Sequence, residues 1–175
     1  MELYQRVEAT SYLGREFLTW LWFRGDRNDG QFEVNGETIA VWFDAKLKLS
    51  STGTLKEENV IKSDRPTDTE EARVSLRSGK QVDEAKLSLS IGPKIWSMTV
   101  KSHDLSLHGM KLPALLSTTD EECVYERLAL LEECQDTFDA LFRSFVALRL
   151  DDSTWSSEIE AMRVWVQSEL SLIHI

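Results

Sequence analysis

Apolar positions along this chain follow three different rhythms, and each predicts a different kind of element. From Leu13 to Arg24 large apolar side chains crowd together (Leu13, Phe17, Leu18, Trp20, Leu21, Trp22, Phe23), too many for a surface helix with a single apolar face. That segment predicts a buried or interface helix. A polar turn cluster, Gly25 to Gly30, follows, and Phe32 and Val34 lead into Asn35-Gly36, the strongest short hairpin signal. Ile39, Val41, Phe43, Ala45, Leu47 and Leu49 then alternate with polar residues such as Asp44, Lys46 and Lys48, the period-two signature of a long strand with one buried and one wet face. On that parity Trp42 points outward.

From Thr52 to Lys62 the periodicity weakens to that of an exposed strand, and Arg65-Pro66 breaks it. Thr67 or Asp68 is placed to cap a short helix that carries Glu70 and Glu71 in its first turn, turns Ala72 and Leu76 inward and stops at Gly79. Ala85, Leu87, Leu89 and Ile91 alternate again. Gly92-Pro93 turns the chain, Ile95 to Val100 forms another run, and Leu105 and Leu107 a last one, which together predict an antiparallel meander.

After Pro113 the period becomes helical. Asp120 to Leu150 reads as one long helix with an apolar stripe through Leu128, Leu131, Phe138, Leu141, Phe142, Phe145, Val146 and Leu148, and Ser153 or Thr154 caps a final helix bearing Trp155, Ile159, Met162, Trp165 and Val166. The pattern predicts an α+β fold: a mostly antiparallel sheet with an N-terminal apolar helix and C-terminal helices. Residues 1–169 form one domain, with a sheet region to about 113 and a helical region over 114–169. Residues 170–175, Leu-Ser-Leu-Ile-His-Ile, read as the translation of a transposon end used in sequencing libraries, an adapter scar that sets the expectation of a longer natural chain.

Composition changes this picture in one respect. The 175 residues are 42% hydrophobic, enough for one core, and no apolar run approaches the ~18 residues of a membrane helix. With no basic leader followed by an apolar run, the expectation is a soluble cytoplasmic protein. Cys123 and Cys134 fit no disulfide framework and no standard zinc or redox spacing. The net charge of -10 argues at first against an anionic partner. Counted by segment it does not: residues 1–113 hold 16 Lys and Arg against 17 Asp and Glu, and residues 114–175 hold 4 against 13. The acidity belongs to the C-terminal helices, and the sheet region is free to be locally basic.

The chemistry-bearing residues point away from catalysis. His103 and His108 would fall on opposite faces of one continuous strand, Gly79-Lys80 lacks the upstream glycine and the following hydroxyl of a phosphate loop, and the carboxylates from Glu121 to Asp139 form a solvated helix face. No catalytic residue, metal, cofactor or small-molecule substrate is expected. The lysines are the better lead. Lys46 and Lys48 share a strand face beside Trp42, Lys86 sits with Ser88 and Ser90 on the wet face of another strand, and Lys94, Lys101 and Lys111 come from the same sheet. Converging, they would neutralise phosphates without reading bases; offset by Glu33, Asp44 and Asp83, they are ordinary solvated lysines.

Glu70-Glu71-Ala72 through Leu112, with Leu76 to Gly79-Lys80, Ala85-Lys86-Leu87-Ser88-Leu89, Trp96 to Val100 and Leu107 to Leu112, resembles the C-terminal region of the recombination-associated RdgC family. The similarity continues through Asp120 to Leu150, where Glu126-Arg127 and Leu141 fit a late family helix, and it covers most of this chain but about half of a full-length member. The resemblance implies a bacterial, nucleoid-associated, non-enzymatic protein that binds duplex DNA with little sequence preference, closes a ring as a homodimer and restrains RecA-driven recombination. Lys80 and Lys86 carry over as DNA-facing positions; Lys46, Lys48 and Lys101 are added from strand geometry. The rival reading is a protein-interaction module of the same fold that has lost DNA binding and uses Trp42 and the acidic helices.

Overall fold

A computed structural model describes residues 2–52 and 56–168, with side chains described from residue 12 onward. The elements follow in the order α1 (Glu2–Asn28), β1 (Gln31–Val34), β2 (Glu37–Ser50), β3 (Glu58–Lys62), a single 3-10 turn (Pro66–Asp68), α2 (Glu70–Arg77), β4 (Gln81–Ile91), β5 (Lys94–Lys101), β6 (Leu107–Lys111), α3 (Asp120–Leu150) and α4 (Asp152–Gln167). All six strands join one antiparallel sheet in the order β1-β2-β4-β5-β6, and β3 adds to the edge of β2 beyond β1. The α+β class expected from the hydrophobic pattern is the class observed.

Sheet burial follows strand parity. Val41, Phe43, Leu47 and Leu49 of β2, Ala85, Leu87 and Leu89 of β4, and Trp96, Met98 and Val100 of β5 share one face and one core with the helices. Helix α1 supplies Phe17, Leu18, Leu21 and Phe23 to that core, and α3 supplies Leu130, Cys134, Phe138, Leu141 and Phe145. Phe17 lies at the centre, with ring centroids 5.7, 5.2 and 5.4 Å from Phe138, Phe142 and Phe145. Two buried indoles on this side are paired across elements: Trp96 Nε1 donates to the Leu130 carbonyl at 3.0 Å, and Trp20 Nε1 to Glu158 Oε1 at 3.0 Å.

Local signals account for most boundaries. Asn35 (φ 50°) and Gly36 (φ 80°) occupy the left-handed region at both central positions of the two-residue β1-β2 turn, as a type I′ hairpin requires. The short helix is capped by Thr69, which accepts from the Ala72 N–H at 3.3 Å, and not by Thr67 or Asp68, because Pro66 starts a 3-10 turn that consumes those residues. The final helix is capped by Asp151, which accepts from the Thr154 N–H at 3.1 Å, and not by Ser153 or Thr154, because α4 begins directly where α3 ends. The long strand departs from strict alternation at Ala45. This residue has a positive φ of 57° and is only half-buried, and the register shifts between Phe43 and Leu47, so an irregularity sits where one more core residue was expected. The suspected scar, residues 170–175, lies outside the described residues.

Candidate nucleic-acid interface

Among the described residues, the helices pack on one face of the sheet and leave the other open. Directly paired antiparallel residues point to the same face, so the register places this surface row by row. Trp42, Ser88, Ser97 and Lys111 form one row across β2, β4, β5 and β6; Lys86, Thr99 and His108 form the next; Lys48, Glu84 and Lys101 the third. On the β3 side Lys62 stands opposite Lys46, and Val60 opposite Lys48. The middle carries short side chains (Ser88, Ser90, Ser97, Thr99), with Trp42, 39% exposed, and Ile95 rising beside them. Six lysines therefore share the face with three carboxylates, Glu33, Glu58 and Glu84, and with Asp83 at its margin.

The lysines divide into two sets. Lys46 Nζ lies 3.3 Å from Glu84, and Lys48 Nζ lies 3.3 Å from Glu58 and 3.6 Å from Asp83. Burial opposes the Lys48 ammonium, but its hydrogen bond to Glu58 and the charges of Asp83 and Glu58 outweigh burial and raise its pKa. Burial likewise opposes the Asp83 carboxylate; the Lys56 charge, the Ser102 hydroxyl and the charges of Arg15 and Lys48 more than offset it and hold its pKa below the ordinary value. Lys62, Lys86, Lys101 and Lys111 have no ion-pair partner among the described residues. Their charges are not spent internally.

Of the residues singled out in the sequence, Trp42, Lys46, Lys48, Lys86 and Lys101 come together here. Lys80 does not. Its ammonium hydrogen-bonds the Asn59 side chain and lies 3.6 Å from Glu57, and Asn59 is paired with the core-facing Leu49, so Lys80 reaches toward the helix-bearing side. Lys94 is diverted in the same way: it bonds both Glu133 oxygens at 2.6 Å and lies over the Trp96 ring at 5.6 Å. Lys62 was not singled out, since the weak periodicity before it hid the register that turns it outward. Lys111 was noted in the sheet region, but only its pairing with Ser97 brings it to this surface.

The remaining candidates carry little chemistry. Burial first, and the Glu133 charge second, push the Cys134 thiol up to about 11, so it stays protonated at neutral pH. Among the described residues, no group of three His, Cys, Asp or Glu is arranged to hold a metal ion, and no helix is long and apolar enough to cross a membrane. No protein-family model, curated protein or solved structure matches the chain.

Proposed function

We propose that this protein binds duplex DNA through the open face of its sheet, by phosphate contacts and with little sequence preference. The observation that carries the reading is the set of Lys62, Lys86, Lys101 and Lys111, unpaired among the described residues, on one helix-free surface around Trp42. Ammonium groups of this kind are point charges that neutralise phosphates, and the partly exposed Ser90, Ser97 and Thr99 between them offer hydroxyls to the backbone. A role in restraining RecA-driven recombination, a homodimeric ring and a place on the nucleoid follow from the resemblance to RdgC and belong to the same proposal.

The test is titration of several unrelated duplexes at rising salt. Each phosphate neutralised contributes about -0.9 to the slope of log affinity against log salt, so four to six lysines give roughly -4 to -5, the same for every sequence. Undetectable binding at low salt, or affinity indifferent to salt, removes the proposal.

A second reading draws on α3. Its amino-terminal half exposes Val124, Leu128 and Leu131 at helical spacing, flanked by the exposed Glu121 and Glu132, a stripe suited to a basic amphipathic segment of a partner protein. If Leu128→Glu abolishes the cellular phenotype while reversing Lys86 and Lys101 leaves it intact, the protein-interaction reading replaces the first.

A further inference from the structure

On one edge of β2, strand β1 pairs with residues 37–40 and β3 with residues 46–50, so residues 41–45 have no strand beside them. Two backbone hydrogen bonds close the ends of this gap, from Val41 N–H to the Gly30 carbonyl at 2.8 Å and from Ser63 N–H to the Ala45 carbonyl at 3.2 Å. Between them opens a cleft of about 1040 Å³, walled by the end of α1, the 3-10 turn, α2 and α4, with Trp42 among its lining residues. Trp42 thus belongs both to the open lysine face and to this cleft.

Two residues that line the cleft each carry a buried donor without an acceptor: Trp22 Nε1 and Arg73 Nε. Both are held in place. The Arg73 guanidinium lies 5.6 Å from the Trp22 ring and 5.2 Å from the Trp165 ring, its terminal nitrogen bonds Asp26 at 2.5 Å, and Trp165 Nε1 donates to the same Asp26 oxygen at 2.9 Å. A buried N–H without a partner is costly, and a fixed pair of them marks a place for a group that brings acceptors. The cleft does not suit a phosphate, because Asp26, Asp29, Asp64 and Asp68 outnumber its arginines, and Asp29 and Asp64 have no cationic partner among the described residues. Aromatic walls, two unmet donors and two free carboxylates together call for a flat, uncharged ring with acceptors on one edge and an amino group on another.

We propose that the cleft binds a nucleobase that is not paired in a duplex, turned past Trp42 while its backbone stays on the sheet lysines. The inference rests on the nucleic-acid reading of the open face and deepens it: the preferred ligand is DNA with an unpaired base. Such a base has already lost its pairing partner, so turning it out of the stack costs least. Stacking on aromatic side chains then favours it whatever its sequence.

The experiment uses the full chain and two otherwise identical duplexes, one with a single unpaired 2-aminopurine and one with 2-aminopurine paired, followed by anisotropy and by 2-aminopurine emission. The expected result is at least about fivefold tighter binding of the unpaired form, with a change in emission, the scale of one stacked base. Trp22→Phe keeps a ring and removes only the N–H, and should reduce that preference. Trp42→Ala, at an exposed position, should reduce it as well and serves if the first variant does not fold. Equal affinity for both duplexes with unchanged emission overturns the inference and leaves the reading of the lysine face standing; no binding of either duplex overturns both. The free 2-aminopurine nucleotide is the third arm: binding sensitive to Trp22→Phe supports the base site and assigns it to free nucleotides if it is as tight as the strand, and to strands if it is weaker.

Discussion

Lys46 reaches across the open face to Glu84, with Nζ 3.3 Å from Oε1, and the same carboxylate is flanked in its row by Lys48 and Lys101. Glu84 is therefore the acidic group at the centre of the lysine surface. Glu84→Gln keeps the shape, frees Lys46 and removes a charge that repels phosphate. Duplex affinity should rise roughly threefold to tenfold near ~0.1 M salt, and the salt slope should steepen by about 0.9. Unchanged affinity in a salt titration would count against the sheet face as the binding surface.

Charge reversal separates the lysines by position. Lys86→Glu with Lys101→Glu should lower affinity at least about tenfold for every duplex sequence and reduce the salt slope by about 1 for each lysine. Lys80→Glu should change affinity by less than about twofold, because Lys80 is turned to the helix-bearing side and held by Asn59 and Glu57. The two variants are compared by anisotropy on one duplex; a larger loss from Lys80→Glu would relocate the site.

Gly14 of α1 passes so close to Ser102 that a Cβ on it would lie 1.8 Å from the Ser102 carbonyl oxygen. In an isolated helix Gly→Ala would gain about 1 kcal/mol. Here the opposing atom is backbone of a fully buried residue and cannot swing away, so overpacking decides the sign. Gly14→Ala should destabilise the protein by about 1–3 kcal/mol, or more if α1 cannot shift. Chemical denaturation measures it, and a variant as stable as wild type would show that α1 is not seated this way.

Asp83 ties three elements together through Arg15 at 3.3 Å, Ser102 Oγ at 3.0 Å and Lys48 at 3.6 Å. Its folded pKa is depressed, so its stabilising contribution is fully present above the unfolded carboxylate value of ~3.9 and is lost as pH falls through the lower folded value. Asp83→Asn should cost about 1–3 kcal/mol at pH ~6, as for hydrogen bonds to a charged group, and the gap to wild type should be smaller at pH ~3, below the unfolded value. Urea unfolding of both proteins at the two pH values tests this. A gap of the same size at both would mean that the carboxylate's charge contributes nothing.

What the chain dictates on its own is what depends on neighbours within a few residues. The Asn35-Gly36 hairpin, the meander from β4 to β6 and the helix from Asp120 to Leu150 were all legible, because turn chemistry and hydrophobic period act locally. Parity likewise placed Trp42, Lys46, Lys48 and Lys86 on wet strand faces. It could not say which wet faces adjoin, because that depends on register between strands far apart in sequence. Pairing decided the rest: it set Lys62 opposite Lys46 and Lys111 opposite Ser97, spent Lys46 and Lys48 on carboxylates, drew Lys80 and Lys94 to the other side, and left the gap on β2 that opens the cleft. Charge and hydrophobicity are written residue by residue, but whether a charge is free to meet a ligand is a distance between residues, and only the folded chain sets that distance.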